Sequence, residues 1–184
     1  MEIPKAVKNH GYIITVACFV LCGVIARLVP HVPNFAPVGA IALAGGVLFP
    51  KRIAFAIPLL TMAISDNIIG FYSGIEWTWL AIMLIPLMGI ALKRFSYAGQ
   101  IAIGPLLSSL VFFAVSNFGT WLTSGMYAHT MAGFVECYTL AIPFFRATLL
   151  SDILFGVTLI SVAYCLRSLK ATPRAWYNTS NVQQ

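Results

Sequence analysis

The sequence predicts an all-α integral membrane protein, a bundle of six transmembrane helices with a short surface or re-entrant helix between the fifth and sixth. Three observations predict it. Of 184 residues, 60% are hydrophobic and only 9% charged, too apolar for a soluble domain of this size. Apolar runs near membrane-crossing length recur along the chain, and the basic residues gather in alternate gaps between them. A single transmembrane domain covers residues 1–170, and residues 171–184 form a polar cytoplasmic tail.

The first run, residues 12–29, follows Lys5 and Lys8 and nearly reaches the length that crosses roughly 30 Å of hydrocarbon at about 1.5 Å per residue. A signal peptide has similar flanks, but no clean cleavage site follows and more spans come after, so the run is read as a retained anchor. Pro30 and Pro33 end it. The second run, residues 37–49, makes a helix of only about 20 Å, too short to span unaided. It either tilts against thin membrane or starts inside a water-filled cavity. The tight basic turn Phe49-Pro50-Lys51-Arg52 leads into the third run, residues 53–72. Runs at 77–92, 101–118 and 147–166 complete the six. Residues 131–145, interrupted by Pro143, would put the basic tail outside if they crossed, so they are placed at the outer surface.

Orientation follows from positive charge, which is retained on the cytoplasmic side. Lys5, Lys8, Lys51, Arg52, Lys93, Arg94, Arg167, Lys170 and Arg174 fall on one side of the six-span arrangement, and only Arg27 and Arg146 lie near the other. Both termini are therefore expected in the cytoplasm. The isoelectric point near 9.4 is explained by this topology and by anionic cytoplasmic lipid, so no nucleic-acid partner is expected. The triplet Asn178-Thr179-Ser180 matches a glycosylation acceptor but would be inert on that side.

Catalytic and metal motifs are missing. Cys18, Cys22, Cys137 and Cys165 form no CxxC pair, and there is no HExxH, GxSxG or phosphate-binding GxxxxGK[ST]. Ser65-Asp66 and Ser151-Asp152 are adjacent pairs whose side chains diverge by about 100° on a helix and cannot form a triad. Neither an enzyme, a cofactor nor a metal is expected, and energy for any transport would come from another protein or a gradient.

Ionisable groups at membrane depth are costly unless paired or facing a cavity. Arg27, Asp66 and Asp152 fall at similar depth towards the outer face, so Arg27 pairs with Asp66 or Asp152, or the three line an outward pocket with Asn67, Asn117 and Arg146. The two readings are compatible. Trp77, Trp79, Trp121 and Tyr127, with Glu76 and His129, gather around the outer loops, either as an interfacial belt or as the aromatic wall of a solute pocket. The loop from His31 through Asn34 completes the candidate substrate-binding set: Arg27, His31, Asn34, Asp66, Asn67, Asn117, Trp121, Tyr127, Arg146 and Asp152. Cys18, Cys22 and Ala26 make a small-residue stripe on the first helix, and Ala36, Ala40 and Ala44 another on the second, suited to close helix packing within the chain or with a partner.

The stretch RLVPHVPNFAPVGAIALAGGVLFPKR, followed by a helix ending in SD, resembles the first half of the substrate-binding S components of energy-coupling factor (ECF) transporters. The stretch NFGTWLTSGMYAHTMAGFVECYTLAIPFFRATLLSDILFG is similar to a bacterial family of transport proteins classed as S-component-like. Together they span roughly residues 12–166. The resemblance implies a multi-pass subunit of the bacterial cytoplasmic (inner) membrane that lies in the lipid bilayer and takes a vitamin-like or metal-related small-molecule solute from outside. It also implies docking on an energy-coupling membrane module through the first helix, at Cys18, Cys22 and Ala26, where such families carry alanines. The competing expectation is an accessory subunit of a larger membrane complex, such as a respiratory or photosynthetic assembly, since one fold hosts many functions.

Overall fold

The computed structural model describes the backbone of residues 5–171 and the side chains of residues 12–166. Most of the polar tail predicted for residues 171–184 lies outside the described residues. The described chain is helical, in the order α1 (Lys5–Leu28), α2 (Val38–Leu48), α3 (Lys51–Ile69), α4 (Ile75–Leu92), α5 (Tyr97–Thr123), α6 (Met131–Leu140) and α7 (Ile142–Ala171), and it contains no strand.

The short helix α2 is the centre of the bundle. Its sequence VGAIALAGGVL has no polar side chain, and every residue from Val38 to Val47 is buried, as expected of a helix that is apolar all round. It packs on α4, α7, α3, α5 and α1. Small residues permit this crowding. A Cβ placed on Gly46 would stand 2.5 Å from the Pro86 carbonyl oxygen and 2.8 Å from Gly89 Cα, so α2 and α4 meet backbone to backbone. Ala40 and Ala44 are fully buried, so that stripe serves packing within the chain.

Four helices, α3, α4, α5 and the Ile142–Leu166 part of α7, are long and apolar enough to cross a membrane, and Tyr12–Leu28 and α2 are shorter apolar segments. The exterior agrees with membrane association. Ile13, Leu21 and Ile25 on α1, Ile64 and Ile68 on α3, and Leu150 and Leu154 on α7 all face outward, far more apolar surface than a soluble monomer carries.

Two boundaries differ from the sequence reading. The surface helix expected over 131–145 ends at Leu140, and Pro143 stands in the first turn of α7, where a missing N–H costs nothing and the fixed φ favours a helix start. Helix α5 runs on to Thr123 because its polar residues turn back on their own helix. Ser116, Asn117, Thr120 and Thr123 donate to the carbonyls of Phe112, Phe113, Ser116 and Gly119 at 2.6, 2.8, 3.0 and 2.8 Å, leaving few donors unmatched at depth.

The loops at one end are basic and tied together: the Lys93 ammonium donates to the Phe49 carbonyl at 2.5 Å, joining the α4–α5 loop to the α2–α3 turn that carries Lys51 and Arg52. The opposite end carries the α1–α2, α3–α4 and α5–α6 loops.

Candidate functional site

At that opposite end the helices part around a cavity of about 260 Å³. Arg27 closes α1, His31, Asn34 and Ala36 come from the α1–α2 loop, and Val38 and Gly39 open α2; α3, α4, α5 and α7 contribute Met62, Thr78, Ile82, Phe112 and Thr148. Between the end of α1 at Leu28 and the start of α2 at Val38 the chain runs as a loop along the cavity. Asn34 adopts φ 62° within that loop, a left-handed conformation that asparagine accepts more readily than other side chains.

Arg27 is held on its buried side by α3. Its Nη2 stands 2.6 Å from Asp66 Oδ1, and its Nη1 donates to Ser65 Oγ and Met62 Sδ, both at 2.8 Å. The Trp79 indole donates to Asp66 Oδ2 at 2.6 Å. Asp66 is completely buried, yet one oxygen is ion-paired with Arg27 and the other accepts from Trp79, so its charge is compensated in place. Of the two expected partners, Arg27 takes Asp66.

Asp152, also fully buried, has a different environment. It accepts from Ser109 Oγ at 2.9 Å. A Cβ on Gly39 would stand 2.6 Å from its Oδ1 and 3.0 Å from Ser108 Oγ, so glycine is required for the carboxylate to rest on the first turn of α2. The Ser108 hydroxyl and the Ala40 amide also face the carboxylate, although Oδ1 completes no regular hydrogen bond among the described residues. That turn has no side-chain cap of its own. The orphan amides and the positive end of the helix dipole supply the counter-charge that a basic residue would otherwise give.

The other predicted residues are not at the cavity. Asn67 is exposed and donates to the Ala63 carbonyl at 2.7 Å, and Asn117 is turned onto its own helix. Trp121 donates to the Ala128 carbonyl at 3.0 Å and packs on Phe118, His129 and Phe134. Rings continue from Phe134 through Tyr138 to Phe113, so Trp121 fastens α6 to α5 and does not line the cavity beside Arg27. Tyr127 is half-exposed in the α5–α6 loop; Arg146 is exposed on α7 and has no ion-pair partner among the described residues. Cys18 and Cys22 are exposed and Ala26 is half-buried.

A model of the family described as a family of unknown function (DUF6580) matches residues 7–175. The chain belongs to that family. The match contains all seven helices from residue 7 onward, hence the cavity and both buried carboxylates. No curated protein and no solved structure matches the chain.

Within this member of the DUF6580 family, sequence reasoning placed Arg27, His31 and Asn34 in the region of the cavity and missed Tyr72, Thr78, Phe112 and Thr148, which also line it. Tyr72 could have been suspected from its place at the outer end of the third apolar run. The others lie on separate helices as ordinary helical residues and carry no local signal. Outside the candidate spans, burial on α6 pushes the Cys137 thiol above its usual range. Burial foremost, and the neighbouring Cys137 charge second, push the Tyr138 phenol up.

Proposed function

We propose that this protein is a membrane-embedded solute-binding subunit for uptake of a small molecule, without an ATPase of its own. The reading places six spans in a bacterial cytoplasmic membrane, with α1 and α2 crossing beside the four longer helices, both termini in the cytoplasm and α6 at the outer surface. The observation that carries it is the cavity among Arg27, His31 and Asn34, at the end of the bundle opposite the basic loops. Its volume of about 260 Å³ lies just below the roughly 300–1,000 Å³ typical of small-molecule sites. The resemblance to ECF S components supports the same reading, with an energy-coupling module as partner at the exposed Cys18–Cys22 face of α1.

Mass spectrometry of small molecules released from the gently purified protein tests it. A defined molecule should be released from the wild type and from Lys51→Ala, but not from Ala36→Trp, which fills the cavity. If only lipids and fixed neighbouring proteins accompany the chain, it is an accessory subunit and the capture reading is wrong.

A further inference from the structure

We propose that the solute is a small organic anion, a carboxylate carried on an apolar or single-ring body; this rests on the capture reading and specifies its ligand. Among the side chains lining the cavity, no aspartate or glutamate appears, and Arg27 carries the permanent charge. Asp66 neutralises that charge only from behind. It is fully buried, whereas the Arg27 side chain keeps 13% of its surface, so a solute meets the guanidinium and not the carboxylate.

A guanidinium has five N–H donors in a rigid fork. Met62 and Ser65 take the two on Nη1, while Asp66 pairs with Nη2 by charge, so the donors on Nε and Nη2 are those for an incoming acceptor. The same contacts hold the fork in position before a solute arrives, which lowers the ordering cost of binding and favours paired contacts to a carboxylate.

His31 adds to this polarity. Its Nδ1 lies 2.7 Å from the Val29 carbonyl oxygen; a carbonyl can only accept, so Nδ1 carries the hydrogen. Val38 and Gly39 bring the N-terminal turn of α2 to the same cavity, although Asp152 already answers part of its dipole from the α7 side. Val38, Met62, Ile82 and Phe112 supply apolar wall. A cation would find no acid among these lining side chains.

Benzoate, benzamide and benzylammonium share one ring and differ in charge. Each can be titrated into the purified full-length protein in detergent, with tryptophan emission and melting temperature as readouts. Benzoate should bind at least about tenfold more tightly than benzamide, and benzylammonium should not bind. In the double variant Arg27→Gln/Asp66→Asn, which removes both charges together, the advantage of benzoate should shrink to about twofold or less while benzamide binding persists. Arg27→Lys keeps the charge without the fork and should weaken benzoate by about tenfold; unchanged affinity in that variant would overturn the role of the fork. If benzamide or benzylammonium equals benzoate, and Ala36→Trp blocks it, the anion class is wrong and solute capture stands. If none of the three binds at about 10 mM, an affinity too weak for any specific site, the ring-borne anion is overturned, while capture itself stands or falls on the molecule released from the purified protein.

Discussion

Arg27 Nη2 and Asp66 Oδ1, on helices that lie side by side, stand 2.6 Å apart with the acid wholly buried. Removing one partner leaves an uncompensated charge; removing both leaves none. Arg27→Met should therefore cost about 3–5 kcal/mol, and Arg27→Met/Asp66→Leu distinctly less. Thermal unfolding in detergent checks the order, and equal stability of Arg27→Met and wild type would exclude the pair as a structural element.

The meeting of α2 and α4 predicts a sharp contrast between glycines. Gly46→Ala drives a methyl into the backbone at Pro86 and Gly89 and should cost about 3 kcal/mol or more, since neither wall can yield. Gly156→Ala meets Pro105 Cγ, Ala40 Cβ and Leu43 Cδ2 at 3.5, 3.8 and 3.9 Å, ordinary contact distances, and should melt within a few degrees of wild type.

Gly39 and Asp152 should be coupled. Gly39→Ala collides with the carboxylate at 2.6 Å, and Asp152→Ala takes away both the collision and the charge on the α2 turn. The double variant should lose less stability than the sum of the singles, by about 1–3 kcal/mol. Strict additivity would mean that the carboxylate does not rest on α2.

A reporter fused after Gln184 and one placed at Lys93 should both read cytoplasmic, and one near Tyr127 external. An external C-terminus would end the six-span topology.

Cys137 should resist labelling. In a variant carrying Cys18→Ser, Cys22→Ser and Cys165→Ser, the remaining thiol is buried on α6 and donates weakly to the Asn117 carbonyl at 3.5 Å. Its raised pKa lowers the thiolate fraction at any given pH, so maleimide should react at least about tenfold more slowly than with a free thiol. Raising the pH should accelerate it only above the range where free thiols already react. Trp121→Ala, which loosens α6 from α5, should abolish that protection.

Much of the helical architecture was legible because helices in an apolar surround must satisfy their own backbone, and run length then reports helix length. The central place of α2 was not legible: its shortness suggested tilt or a start inside a water-filled cavity, whereas five helices packed around it bury it from Val38 to Val47. Depth alone named Asp66 and Asp152 as partners for Arg27, but the choice between them depends on helix rotation, which a single sequence does not carry. Pro143 misled because proline reads identically as a helix breaker and as a first-turn residue. Trp121 misled for another reason: a ring at the outer level can wall a cavity or pin a helix, and only the neighbouring Ala128 carbonyl and Phe134 ring decide. The cavity wall drawn from Thr78, Phe112 and Thr148 depends on three helices meeting and left no local pattern.

The seat of Asp152 on the first turn of α2 also bears on biogenesis. A ribosome releases α2 long before α7, so the nascent bundle holds a short helix with bare N-terminal amides and without the Asp152 carboxylate until α7 arrives. A chain stalled or truncated ahead of Asp152 should thus remain an open intermediate, subject to membrane quality control. The cavity beside Arg27, which takes Thr148 from α7, is complete only when α7 has packed.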